Sequence, residues 1–304
     1  MSTANTLKPK EQLKISASKR YQKRSQGAEI WRRLKKNKGA MVGLAIVVIL
    51  ALIAIFADVI LDYDAEVIKQ NIPQRMQLPS REHILGTDEV GRDVFFRLLY
   101  GTRFSLSVGI VAVAIALAIG VVLGSIAGYF GGVTEEIIMR ATDIFASIPN
   151  ILMGIVIVAA LGASTVNLMI AVGISSVPQF IRVTRAAVLT VRYSDYIEAS
   201  RAIGLKEARI IFGHIIPNCL SPIIVQTTLR VASAIISASA LSFLGLGVPQ
   251  PSPEWGSMLS SGRQYIRTNS LLTFFPGLAI MITVLALNLL GDGLRDALDP
   301  KLRR

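Results

Sequence analysis

The chain reads as long apolar blocks separated by charged segments. Residues 39–57 carry no charge, and a helix of that length crosses the roughly 30 Å hydrocarbon core of a bilayer. This predicts a first span over residues 40–61. Residues 104–130 form a second uncharged block. Residues 144–181 are also uncharged but too long for one span. They divide at the more polar stretch 162–167, predicting spans over 137–161 and 168–189. The block 214–247 exceeds one straight span, and Pro217 and Pro222 near its start predict a kinked or broken helix. A last span is predicted over 271–290. The pattern as a whole predicts an all-α polytopic membrane protein with six transmembrane helices.

Finer features sit on this frame. Gly120, Gly124 and Gly128 recur every four residues, the spacing that lets two membrane helices approach closely. Residues 86–101 read GTDEVGRDVFFRLLYG, with Val94, Phe95, Leu98 and Leu99 at amphipathic spacing. This predicts a short helix lying on the membrane face, capped by Asp88. Its glycines are not a phosphate loop, because no Gly-Lys-Ser/Thr follows. Pro249, Pro251, Pro253 and Trp255 predict a rigid turn with an interfacial aromatic. Arg140 and Asp143 are spaced to pair on one helix. Arg230 falls inside a span, where a charge must face protein or water. Lining a translocation path and pairing with a neighbouring helix or subunit are both open readings.

Of the 304 residues, 52% are hydrophobic and the mean hydropathy is +0.54, as a polytopic membrane protein requires. The net charge of +12 follows topology. With the N-terminal tail inside, twelve Lys and Arg lie in residues 1–39, six in 182–213 and four at the C-terminus. Six lie in 62–103 and two in 248–270 on the other side. Such an excess places both termini in the cytoplasm. The first half of the basic tail is expected to be disordered. The part around Ile30, Trp31 and Leu34 fits a basic interfacial helix, though a solvated orienting tail is the simpler reading. Polar residues precede the first apolar run, so that run is expected to act as an uncleaved anchor. The basic residues do not alternate with aromatics, which argues against nucleic acid. Cys219 is the single cysteine, so no disulfide forms within the chain. No Gly-Lys dipeptide occurs, which excludes P-loop ATP hydrolysis. His83 and His214 are predicted on opposite membrane faces and cannot share a zinc ion.

One charged island, residues 198–217, stands between two apolar blocks and reads EASRAIGLKEARIIFGHIIP. Asp195 is placed to cap a helix, with Glu198 reaching back as in a capping box. Ala199, Ser200, Arg201 and Ala202 continue that helix. Gly204 supplies the left-handed residue that ends it. A second helix restarts near Lys206, and Pro217 marks entry to the next span. The result is a helix–glycine–helix elbow at the membrane face, suited to fill a groove on a partner.

The order Glu-Ala-Ser-x-x-x-Gly, ten residues, then Ile-x-Pro resembles the EAA loop of ABC importer permeases. Ser200 stands where that family more often has Ala, and Ile216 where it has Leu. Residues 86–93 (GTDEVGRD), 240–259 (ALSFLGLGVPQPSPEWGSML) and 291–303 (GDGLRDALDPKLR) resemble the dipeptide, oligopeptide and nickel branch of the same family. The resemblance implies a type I, MetI-like permease core over 101–304, with five transmembrane helices and a cytoplasmic coupling loop at 192–213. Residues 40–100 would be the first helix and an extracytoplasmic segment, and 1–39 a cytoplasmic tail. Asp195, Glu198, Ala199, Ser200, Ala202, Gly204 and Pro217 would couple to an ATPase subunit. The implied partners are a second homologous permease subunit, two ATPase subunits, an extracytoplasmic binding protein and membrane lipid. ATP and Mg would sit on the partner subunits, with no cofactor or metal on this chain, in a bacterial plasma membrane. Peptides are the implied substrate, with nickel chelates or glutathione-like solutes as alternatives. A stand-alone secondary transporter would be expected to show coupling carboxylates at mid-membrane or an inverted repeat.

Overall fold

The computed structural model describes residues 26–298, so the expectation of disorder near the N-terminus lies outside the described residues. Helix α1 (Gln26–Leu34) leads through a short turn into α2 (Lys38–Ile60). The α2 N-terminus is capped by Asn37, whose side chain accepts from the Ala40 N–H at 3.1 Å. Next come α3 (Val94–Phe130), α4 (Gly132–Ser147), α5 (Asn150–Leu161) and α6 (Thr165–Val191). Two short helices follow, α7 (Asp195–Ala202) and α8 (Glu207–Ile210). A wider helical turn over Ile211–Ile215 and a short piece at Ile216–Asn218 then reach α9 (Leu220–Phe243). Helices α10 (Trp255–Gly262) and α11 (Leu271–Leu298) complete the described chain. No strand forms among the described residues.

Five helices (α2, α3, α6, α9 and α11) are long and apolar enough to cross a membrane. The third predicted span, 137–161, is instead a bent pair: α4 and α5 meet at 87°. The cause is local. Ile148 precedes Pro149 and adopts an extended conformation, because the proline ring disfavours helical geometry in the residue before it. The break near Pro217 is present as expected: the chain leaves helix at Cys219 before α9 begins.

The core is α3 against α6. A Cβ on Gly120 would collide with Phe180, one on Gly124 would sit 2.6 Å from the Ile181 carbonyl, and one on Gly128 would lie 2.8 Å from the Val188 Cβ. The four-residue glycine row is therefore the seam along which the two backbones touch. Val108, Ala112, Leu168, Val172, Phe180 and Leu241 extend this core to α9. The described chain ends meet each other, with Leu34, Ala40 and Ala297 buried together. They lie at the same end of the bundle as the elbow, since Leu298 and Arg295 border the cavity beside Ser221 and Pro222. We call this the elbow end and the opposite one the cap end.

At the cap end the structure corrects three expectations. Residues 86–101 are not a separate surface helix. Residues from Val94 onward belong to the 37-residue α3, while 86–93 form a tight turn. The α3 cap is Asp93, which accepts from Phe95 N at 2.8 Å and Phe96 N at 3.2 Å, not Asp88. Asp88 instead accepts from the Arg92 backbone N–H at 2.9 Å and holds the Arg92 guanidinium at 2.6 Å. Arg97 lies 3.5 Å from the same carboxylate and donates to the carbonyls of Val67 and Pro251. Trp255 is not interfacial but 1% exposed, donating its indole N–H to the Leu98 carbonyl at 3.1 Å. The pairing of Arg140 is also revised. Asp143 lies 2.8 Å from Arg182 of α6, and Arg140 lies 3.7 Å from Glu136, because the α4–α6 packing brings Arg182 closer to Asp143 than a same-helix partner.

Candidate functional site

The elbow begins where α6 ends. Arg192 donates to the Gly128 carbonyl at 2.9 Å and stacks over the Tyr193 ring, 4.4 Å from its centroid. This ties the elbow's first residue to the end of α3. Ser194 stands at the N-cap of α7, which corrects the expectation that Asp195 caps it. The Ser194 hydroxyl turns back to donate to the Val191 carbonyl at 2.7 Å, so no capping box forms. Asp195 and Glu198 instead occupy the first turn, where their charge favours the helix dipole.

The end of α7 is as the sequence predicts. Gly204 has φ +77°. Its N–H donates to the Arg201 carbonyl at 2.9 Å, and the Leu205 N–H reaches the Ser200 carbonyl at 3.2 Å. That bond pair is the Schellman closure. Leu205 then packs into the cluster of Ile197, Ile210, Ile215, Val188 and Cys219. Ile197, Ile210 and Ile215 are fully buried, so both helices of the elbow are nailed to the bundle by apolar side chains. The second helix restarts at Glu207, as expected from Lys206.

A polar clamp closes the same junction. The Tyr129 hydroxyl, at the end of α3, donates to the Glu207 carboxylate. Arg201 donates to that hydroxyl at 3.1 Å and lies over the Tyr129 ring at 4.8 Å. The hydrogen bond to Tyr129 pushes the Arg201 guanidinium pKa up, so its cation is fixed. Tyr129 thus grips one residue on each side of Gly204 and makes the elbow and the α3 end one body. No periodicity in the sequence points to Tyr129, since it lies 78 residues from Glu207.

The structure sorts the predicted site residues by face. Asp195, Glu198, Ala199, Ala202 and Gly204 are exposed together, while Ser200 is buried and donates to the Tyr196 carbonyl at 2.7 Å. Pro217 is exposed beyond the second helix, and Arg230 lies far along α9. Apolar residues that sequence reasoning passed over join the exposed face: Tyr193 at 65%, Tyr196 at 42% and Ile203 at 76% exposed. An aromatic pair just before the Glu-Ala-Ser run was the available signal. Exposed tyrosines of this kind are enriched at protein-docking surfaces. Among the described residues no cluster of His, Cys, Asp and Glu could hold a metal ion.

A bundle of membrane-length helices carrying a rigid surface elbow defines a polytopic membrane protein. The chain belongs to the family of binding-protein-dependent transport system inner membrane components, which residues 120–304 match. Residues 25–79 match the N-terminal TM domain of oligopeptide transport permease C. The dipeptide transport system permease protein DppC of Alkalihalophilus pseudofirmus is 50% identical over 275 residues, 90% of each chain. The di/tripeptide transport system permease protein DppC of Pseudomonas aeruginosa is 44% identical over 90% of this chain and 92% of its own. The glutathione transport system permease protein GsiD of Pectobacterium atrosepticum is 43% identical, covering 90% and 91%. A solved inward-facing structure of the MetNI methionine ABC transporter shares the fold, with a TM-score of 0.56 and 20% identity over 67% of this chain and 97% of that one. The all-α permease fold expected from the sequence is thereby shown, as is membership of a binding-protein-dependent transport system.

Proposed function

We propose that this chain is one membrane-spanning subunit of an ATP-driven importer of dipeptides or oligopeptides, and that its elbow docks an ATPase subunit. The observation that carries the reading is the elbow's outer face, exposed and rigidly held by the Tyr129 clamp. Relatives named as dipeptide permeases support the substrate class. Asp195, Glu198, Ala199 and Ala202 meet the ATPase, Ser200 braces α7 from inside, Gly204 sets the angle and Pro217 marks re-entry to the membrane. Movement of the docked elbow passes to α3 through Tyr129 and to α9 through Ile215 and Cys219. The chain hydrolyses no ATP itself: two ATPase subunits carry ATP and Mg. A second homologous permease subunit completes the path, and Arg230 lines it. The Lys and Arg excess supports both termini and the elbow in the cytoplasm of a bacterial cell, with the cap end receiving the binding protein. The division follows: tail 1–39, first helix and outer segment 40–100, core 101–304 with its coupling loop at 192–213. A glutathione importer is the second reading, favoured by the glutathione permease relative.

The test is uptake of labelled di- and oligopeptides into liposomes holding this chain with its co-expressed partners. Glu198→Lys and Gly204→Pro are each expected to lower ATP-driven uptake about thirtyfold or more, the scale of losing one docking hot spot. Unimpaired uptake by both variants would sink docking at the elbow. Uptake of glutathione or chelated nickel instead keeps the importer and discards peptides. Uptake with no ATPase present would point to a secondary transporter.

A further inference from the structure

Two spans differ in what stands among their exposed apolar residues. Helix α2 exposes Val48, Ile49, Leu52, Ile55, Phe56 and Val59, a surface suited to hydrocarbon. Helix α9 packs inward through Ile235, Ala238 and Leu241. Along its flank, beside the exposed Ile224 and Ile236, runs a polar row, Gln226, Arg230, Ser233 and Ser237, spaced four, three and four residues apart. That spacing stacks them one above another. Ser233 is exposed and the other three are half-buried. Among the described residues, no carboxylate lies within ion-pair distance of Arg230. Lipid cannot be the neighbour of such a row, because a guanidinium at membrane depth persists only against protein or water. At the elbow end of the row, Gln226 borders an open cavity of about 420 Å³ with Ser221, Pro222, Leu229 and Arg295.

Building on the importer reading above, we propose that this row is the surface substrate passes over, and that Arg230 holds the free C-terminal carboxylate of a peptide in transit. A guanidinium presents a planar fork that matches a carboxylate. It repels the peptide's amino end and so orients the molecule. Gln226, Ser233 and Ser237 supply hydrogen bonds to a peptide backbone stripped of water, which would otherwise go unpaired. One cation, with uncharged neighbours in the row, holds the carboxylate weakly enough for release.

Uptake of dialanine and of dialanine amide by the full complex in liposomes tests this. The binding protein is saturated with each peptide, so that its own preference drops out. The wild type is expected to move the free acid about tenfold faster, the effect of one charge-assisted hydrogen bond. Arg230→Gln is expected to erase the difference by slowing the free acid alone, and Arg230→Lys to restore part of it. Equal slowing of both peptides, no slowing, or a wild type with no preference overturns the assignment. So does loss of the second permease subunit from purified Arg230→Gln, which would give the guanidinium a carboxylate on that partner. A complex that carries glutathione but not dialanine fails the peptide reading alone, and glutathione against its glycyl monoethyl ester then tests Arg230. A complex that moves neither solute overturns both.

Discussion

The cap end and the elbow end use the same parts in opposite surroundings. Each has a glycine in the left-handed region, Gly91 at φ +81° and Gly204 at φ +77°. A Cβ on Gly91 would land on the Asn71 carbonyl, whereas one on Gly204 would meet nothing within 4 Å. Each end carries arginines beside carboxylates. The Arg92 and Asp88 side chains are 2% and 9% exposed, while Arg201, Glu198 and Glu207 are exposed. Each has large aromatics, with Trp255 buried and Tyr193 outward. At the cap, special residues are consumed by the chain's own packing. At the elbow the same devices fix a shape and leave its outer face exposed.

Removing the central carboxylate of the cap is the largest test of that contrast. Asp88→Ala leaves Arg92 and Arg97 buried without their shared partner. Breaking a buried pair in this way costs about 3–5 kcal/mol. A large drop in the thermal midpoint of the detergent-solubilised complex is expected. At the exposed elbow, Glu198→Lys is expected to stay within about 0.5 kcal/mol while uptake falls. Similar stability losses at both sites would break the contrast.

The paired glycines sharpen it. Gly204→Ala forces a side chain into left-handed backbone and costs about 1–2 kcal/mol, with nothing to collide with. Gly91→Ala bears the same strain and a backbone collision besides, so it should destabilise by clearly more. Thermal midpoints of the two variants give the comparison, and equal shifts would mean that the cap turn yields as easily as the elbow.

Much of this contrast was legible in the sequence, and what was not has a common cause. Local signals carried far: apolar length gave the spans, the Gly120–Gly124–Gly128 row gave the α3–α6 seam, and Gly204 gave the end of α7. The break of the third span was also local, at Ile148 before Pro149, but the uncharged run around it hid the signal. Misreadings arose where a distant partner decides. Amphipathic spacing over 94–99 reads as a surface helix, yet the buried side is covered by Trp255 and Leu272. Arg140 and Asp143 are spaced to pair, but Arg182 of another helix takes Asp143. The Tyr129 clamp joins residues far apart in the chain, so no window could reveal it.

The smallest effect concerns how deeply the cap end hides its charges. Glu254 caps α10, accepting from the N–H groups of Gly256 and Ser257 at 2.9 and 2.8 Å, yet it is 1% exposed. Burial raises its pKa above the ordinary 4.5 and outweighs those two bonds, which lower it. In the unfolded chain the group returns to its ordinary value. Between the two values the folded state therefore holds more of the proton, and unfolding releases it. Stability is full below the ordinary pKa and declines as pH rises toward the folded-state value, by at most about 1.4 kcal/mol per pH unit. Glu254→Gln should flatten that part of the profile while keeping one capping acceptor. Thermal midpoints of the two proteins across this window decide the matter. Parallel profiles would mean that water reaches the carboxylate and that the cap is looser than its packing implies.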